Sequence, residues 1–151
     1  MYEILIVGGG PAGLTAAIYA ARAGKHVAVL ERGSTGGQII SAPLVENYPG
    51  IPSVSGTELA RQMTEQACTF GAEIVYTEAV GLEKTPAGFR VLCTDGVREA
   101  KTVILATGAA HRQLGLPGET TLVGCGVSYC AVCDGAFYEG ADVAVVGGGD
   151  T

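Results

Sequence analysis

Positive charge is scarce in this sequence: nine Lys and Arg residues stand against fifteen Asp and Glu residues, a formal net charge of −6. An acidic surface repels polyanions, so nucleic acids and anionic membrane surfaces are poor candidates as partners. No apolar run approaches the roughly 20 residues that a membrane-spanning helix needs, and no charged leader precedes the first apolar stretch. These absences predict a soluble, cytoplasmic protein.

Metal ligands are also few, with two His and five Cys in the sequence. The sequence has a single C-x-x-C pair, Cys130 and Cys133, whereas a closed zinc site needs four ligands and commonly two such pairs. The odd cysteine count does not suit a secreted disulfide framework and favours a reducing compartment. The pair is then either redox-active or an inert couple of buried thiols. Asp134 favours the redox interpretation. A carboxyl group beside a redox pair can transfer protons, whereas beside buried thiols it would be a poor neighbour in an apolar core.

Glycine, by contrast, is abundant, with 24 residues that follow no fixed period. The apolar run Tyr2–Val7 predicts a buried strand, Leu14 and Ile18 indicate a helix, and 26–30 predicts a second strand. Between the first strand and the helix stands a G-x-G-x-x-G pattern formed by Gly8, Gly10 and Gly13. In this context the pattern is typical of a pyrophosphate-binding turn that opens a helix.

Glu31 ends the second predicted strand, where an acidic side chain accepts hydrogen bonds from ribose hydroxyls. Its charge would repel a 2′-phosphate, so the sequence predicts FAD or NAD at this first site. A glycine-rich turn without a ligand is the structural alternative.

The rest of the chain divides into a long polar loop, a helix and a strand-rich region. Residues 33–54 predict a functional loop, and Ser55 with Glu58 has the spacing of a capping box at the start of a helix. Residues 73–105 predict a small antiparallel meander that leads to a buried strand, and 115–119 predicts a linker. Residues 141–146 then predict another apolar strand before Gly147-x-Gly149. Because no helix follows that strand, we expect the chain to be a piece of a longer protein.

Six short motifs occur here in a recognisable order: GGGPAG, GGQI (36–39), ENYPG (46–50), ATGA (106–109), LPGE and CAVCDG. With them, the whole chain resembles the low-molecular-weight, bacterial-type thioredoxin reductases. The resemblance implies an α/β fold: a Rossmann-like FAD-binding domain of three layers (ββα) with an antiparallel meander, and the start of a second Rossmann-like NAD(P)-binding domain. The expected division is 1–114 for the FAD domain and 115–151 for the linker, the C-x-x-C segment and the first strand of the second domain.

The resemblance also implies an activity, FAD-dependent reduction of thioredoxin by NADPH, in a homodimer when full length. Cys133 would face the flavin, Cys130 would attack the substrate disulfide, the two would form the redox-active disulfide, and Asp134 would donate a proton. Gly147 and Gly149 would begin the NADPH loop. The residues expected to bind FAD are Gly8, Gly10, Pro11, Ala12, Gly13, Glu31, Arg32, Gly37, Gln38, Asn47, Ala106, Thr107 and Gly108.

Three alternatives share these motifs. One is the flavoprotein subunit of alkyl hydroperoxide reductase, against which the early position of the glycine loop counts. Another is a relative that takes electrons from ferredoxin or oxidises small dithiols. The third is a non-catalytic dinucleotide-binding module whose C-x-x-C acts as a switch. We also expect residues 1–151 alone to bind FAD weakly or not at all.

Overall fold

The computed structural model describes residues 1–148, except for the side chains of Val132 and Cys133. The chain separates into two compact units, Met1–Gly108 and Ala109–Thr151. The helices and strands of the first unit, in chain order, are β1 (Tyr2–Val7), α1 (Pro11–Arg22), β2 (Val27–Glu31), a 3₁₀ turn (Gly37–Ser41), α2 (Gly56–Thr69), β3 (Glu73–Tyr76), β4 (Ala79–Thr85), β5 (Gly88–Cys93) and β6 (Gly96–Leu105). Its sheet has the strand order β3-β2-β1-β6-β5-β4.

One half of this sheet is parallel. Strand β1 pairs in parallel with β2 and β6, and β2 pairs in parallel with β3. The predicted strand–helix–strand unit is therefore confirmed, and so is the start of α2, where the Ser55 hydroxyl accepts a hydrogen bond from the Glu58 N–H. The assignment of 73–76 to the meander was wrong. Helix α2 carries the chain back across the sheet, and such a crossover makes the next strand parallel to the one before it.

The other half is the predicted antiparallel meander, formed by β4, β5 and β6. The end of the predicted meander and the buried strand expected after it form one continuous strand, β6, which pairs with β5 through its first half and with β1 through its second. The end of β6 was expected to be buried, yet Ile104 is 38% and Leu105 65% exposed. The buried clusters on both faces of the sheet centre on β1 and β2, so this end of β6 lies at their margin.

Three layers result from the way the sheet is covered. On one face, Ile6, Val27 and Val29 pack with Leu14 of α1 and Leu59 of α2. The opposite face is covered by the meander, and its cluster consists of Leu5, Ala28, Leu30, Val91, Cys93 and Ala100. The expected ββα layering is confirmed by this alternation of side chains along the strands.

The second unit contains the short helix α3 (Ala131–Asp134) and a 3₁₀ turn (Gly135–Tyr138). Its predicted strand is not formed: residues 142–148 have no strand pairing, and Val145 is 87% exposed. A strand needs a neighbour for its backbone hydrogen bonds, and the described part of this unit contains no other strand. None of the helices within residues 1–148 is long and apolar enough to cross a membrane.

Candidate functional site

The glycine loop after β1 is shaped by contacts that leave no room for side chains at two of its positions. Gly8 has a φ of +108°, and a Cβ on it would lie 2.2 Å from the carbonyl oxygen of Ala106. A Cβ on Gly13 would lie 1.9 Å from the carbonyl oxygen of Gly8. Only glycine permits this turn and this close approach of α1 to β1.

Gly10 differs from its two neighbours in the motif, because the space over it is open. The nearest atom to a Cβ on Gly10 would be the Cα of Gly37, 3.9 Å away, and the φ of Gly10 is an ordinary −75°. Steric crowding within the protein therefore does not explain a glycine here. Bare backbone beside open space is what a pyrophosphate group needs in order to approach.

Helix α1 begins immediately after Gly10, with Pro11 at its first position and no acidic residue in its first turn. Its first N–H groups have no partner within the helix and lie at the positive end of a 12-residue dipole. Pro11 costs nothing at this position, because its missing N–H would be unpaired in any case. Open space, bare backbone and a positive helix end together fit the pyrophosphate of a dinucleotide such as FAD.

Glu31, at the end of β2, holds the glycine loop directly. Its Oε2 accepts a hydrogen bond from the Gly9 N–H at 2.8 Å, and its Oε1 accepts one from the Gly33 N–H at 2.9 Å. Each carboxylate oxygen can accept a second hydrogen bond, so ribose hydroxyls can still be bound there. Arg32 is exposed, and its guanidinium lies 3.9 Å from a Glu78 oxygen.

The GGQI segment packs against the glycine loop. The Gly36 N–H donates to the Gly9 carbonyl at 2.7 Å. A Cβ on Gly36 would lie 2.4 Å from the Ala60 Cβ, and one on Gly37 would lie 3.3 Å from the Gly10 Cα. Gly37 and Gln38 are exposed in the 3₁₀ turn beside the open space. Gly36 was absent from the sequence-based site, although its left-handed φ of +112° shows why glycine stands there.

The turn after β6 completes the same edge of the sheet. The Ala106 N–H donates to the Val7 carbonyl at 2.8 Å, and Val7 is in register with both Leu30 and Leu105. The glycine loop, Glu31 and the turn 106–108 therefore lie side by side at the carboxyl ends of β1, β2 and β6. Ligands of open α/β sheets bind at this edge. Asn47 lies in an exposed loop, and its contact with FAD stays a prediction.

In the second unit, Cys130 directly precedes α3 and Asp134 is the last residue of that helix. The Asp134 N–H donates to the Cys130 carbonyl at 3.0 Å. Ser128 links the same two residues: its hydroxyl lies 2.6 Å from Asp134 Oδ2 and accepts a hydrogen bond from the Cys130 N–H at 3.1 Å. The side chain of Cys133 and the whole of Gly149 lie outside the described residues, so their predicted roles stay predictions. Gly147 has a φ of +110°.

Within residues 115–119, which were predicted to be a linker, Glu119 is buried and organises the segment. Its carboxylate accepts hydrogen bonds from the backbone N–H groups of residues 114–116 and from the Tyr129 hydroxyl, the last at 2.6 Å. These donors, Tyr129 first among them, lower the pKa of Glu119, and the carboxylate in turn raises the pKa of Tyr129. The Tyr129 ring stacks on His111. An acidic residue directly after Pro-Gly is a signal that sequence reasoning could have used, since carboxylates often accept from loop N–H groups.

The remaining cysteines have free thiols: Cys68, Cys93 and Cys125. Burial raises the pKa of the Cys93 thiol, which makes Cys93 a poor nucleophile. Among the described residues, no group of three or more His, Cys, Asp or Glu side chains is placed to hold a metal ion.

A glycine cradle at the carboxyl ends of parallel strands is the arrangement with which α/β proteins bind dinucleotides. Residues 2–151 match the pyridine nucleotide-disulphide oxidoreductase family, and the chain belongs to that family. The thioredoxin reductase of Treponema pallidum (strain Nichols) is 47% identical over 150 residues, 99% of this chain and 49% of the relative.

Solved structures agree with this membership. A thioredoxin reductase from Streptococcus pyogenes MGAS5005 is 51% identical, with a TM-score of 0.80 over 91% of this chain and 45% of that one. A ferredoxin-flavin thioredoxin reductase from Clostridium acetobutylicum is 35% identical, with a TM-score of 0.69 over 91% of this chain and 47% of that one. The resemblance to thioredoxin reductases is therefore confirmed, and the chain spans about half the length of these relatives.

Proposed function

We propose that this chain is the N-terminal part of a FAD-dependent thioredoxin reductase that uses a Cys130–Cys133 disulfide. The observation that carries the proposal is the combination, in one family member, of an open glycine cradle and a Cys-x-x-Cys-Asp segment. The cradle suits a dinucleotide, and the segment suits thiol–disulfide exchange. The three free thiols leave Cys130 and Cys133 as the proposed redox pair.

The first unit would hold FAD through backbone and small residues. The pyrophosphate would lie over Gly10 at the start of α1, beside Pro11, Ala12 and Gly13, and the ribose of the adenosine would meet Glu31. Residues 37–38, Asn47 and 106–108 would line the rest of the cofactor, and Arg32 would lie at its exposed rim. FAD, when bound, supplies a two-electron carrier between a nicotinamide and a disulfide.

The protein's own sulfurs would carry the exchange. Two electrons and two protons convert the Cys130–Cys133 disulfide into two thiols. The Cys130 thiol gives its proton to the Asp134 carboxylate, and its sulfur attacks one sulfur of the thioredoxin disulfide; that disulfide breaks, and the displaced sulfur takes the proton from Asp134. The Cys133 sulfur then attacks Cys130, which closes the protein disulfide and breaks the mixed disulfide, and the Cys133 proton passes to the released second thioredoxin sulfur.

The electron donor is proposed to be NADPH, bound in a second domain that begins within 115–151 and includes Gly147 and Gly149. The similarity to the ferredoxin-flavin thioredoxin reductase of Clostridium acetobutylicum keeps ferredoxin as an alternative donor. We further propose a cytoplasmic homodimer, with 1–114 belonging to the FAD domain. The peroxide-reductase subunit and the non-catalytic module remain the competing functions.

The test uses the full-length polypeptide that contains this chain, assayed with NADPH and thioredoxin. Cys130→Ser should lose thioredoxin reduction, because the sulfur that attacks the thioredoxin disulfide is gone. NADPH-dependent reduction of ferricyanide should persist, because ferricyanide takes its electrons from the flavin without the cysteine pair. Cys125→Ser is the matched control: it removes a free thiol from the same segment and should keep both activities.

Thioredoxin turnover by Cys130→Ser at the wild-type rate would refute the proposed role of Cys130. A colourless full-length protein would favour the non-catalytic module, and activity only with reduced ferredoxin would replace NADPH as the donor.

A further inference from the structure

The hydroxyl group of Ser128 occupies the centre of the Cys130 segment. It accepts a hydrogen bond from the Cys130 N–H at 3.1 Å and lies 2.6 Å from Asp134 Oδ2 and 3.3 Å from the Cys130 carbonyl oxygen. A hydroxyl has one hydrogen to donate, and the much shorter distance assigns it to the carboxylate. Ser128 therefore bridges the backbone of one proposed reacting residue and the side chain of another.

The position of Ser128 is itself fixed by its neighbour in the chain. The Tyr129 hydroxyl donates to buried Glu119 at 2.6 Å, and Glu119 also accepts three backbone hydrogen bonds from residues 114–116. Such a fully occupied carboxylate holds Tyr129 in place, and with it the residue before it. The sequence-based site included neither Ser128 nor Glu119.

We propose that Ser128 is a positioning residue for Asp134, holding its carboxyl group over the start of α3 for proton transfer to the departing sulfur. The inference rests on the proposed function, because it requires Asp134 to be the proton donor. General acids depend on orientation as well as on chemistry, so a carboxyl group free to rotate delivers its proton less often. Ser128 itself exchanges no proton with the substrate.

The experiment is a double-mutant cycle in the full-length enzyme, with thioredoxin reduction as the assay. Ser128→Ala should lower kcat by roughly tenfold, which is a part of the rate enhancement that general acid catalysis supplies. The KM for thioredoxin should be unchanged. Ser128→Thr, which keeps the hydroxyl, should recover most of the rate. In an Asp134→Asn background, Ser128→Ala should have no further effect, because a positioning residue has nothing left to position.

Stability separates this role from a purely structural one. Thermal melting and the flavin spectrum of Ser128→Ala should match those of Thr121→Ala, which removes a hydroxyl group that donates to the Gly118 carbonyl in the same unit. Additive losses of kcat in the double variant would overturn the inference but leave Asp134 as the donor. A wild-type rate for Asp134→Asn would overturn both the inference and the proposed role of Asp134.

Discussion

Alanine substitutions at Gly10 and Gly13 make the same chemical change three positions apart and should have opposite consequences. At Gly10 a Cβ meets nothing nearer than 3.9 Å and φ is −75°, so alanine fits the backbone. Lower entropy of the unfolded chain should then stabilise the apoprotein by about 0.4–1 kcal/mol. At Gly13 the Cβ would lie 1.9 Å from the Gly8 oxygen, and forcing α1 away from β1 should cost about 1–3 kcal/mol or more.

FAD affinity should separate the two roles further. If the pyrophosphate lies over Gly10, the added methyl group should cost about 1–3 kcal/mol of binding, or about 5- to 150-fold in Kd. Urea unfolding of the full-length apoprotein measures stability, and quenching of flavin fluorescence on reconstitution measures Kd. A Gly10→Ala protein that is stable and binds FAD as tightly as wild type would refute the placement of the pyrophosphate. A Gly13→Ala apoprotein of unchanged stability would refute the packing argument.

Two further substitutions test which interactions stabilise each unit by itself. Ser55→Ala removes the side-chain cap of α2 and should lower the free energy of unfolding by about 1 kcal/mol, measured by urea denaturation; an unchanged midpoint would contradict this. The hydrogen bonds that Glu119 accepts lower its pKa in the folded protein. The ionised Glu119 therefore stabilises the fold fully at pH values above its unfolded-state pKa of about 4.3. This stabilisation is lost as the pH falls through the lower pKa of the folded state. Glu119→Gln should therefore be less stable than wild type at pH 7 and lose less stability in acid. Parallel stability–pH curves for the two proteins would contradict it.

Local patterns predicted the first sixty residues of the fold well. The β-branched run before the glycine loop, the helix that follows the loop and the cap at Ser55 are each decided by residues close in sequence. The assignment of β3 failed, because its parallel pairing depends on where α2 returns the chain across the sheet. The strand at 141–146 failed for a related reason: an apolar run becomes a strand only beside another strand.

The candidate site shows the same division. Gly8, Gly13 and Glu31 follow from a motif with a known physical purpose, and the structure brings them to one sheet edge. Ser128 belongs to none of the motifs, and the position of Glu119 in LPGE does not identify the groups that its carboxylate binds. Their roles depend on a bend of the chain that places Tyr129 within 2.6 Å of Glu119, and residue spacing does not encode that bend.

The central claim is that electrons pass from a bound flavin to the Cys130–Cys133 disulfide. Anaerobic dithionite titration of the full-length protein tests it directly, since the flavin and the disulfide each accept two electrons. Wild type should take up about four electrons per flavin, and Cys133→Ser about two. Uptake of only two electrons by the wild type, with no new thiols released, would contradict the account.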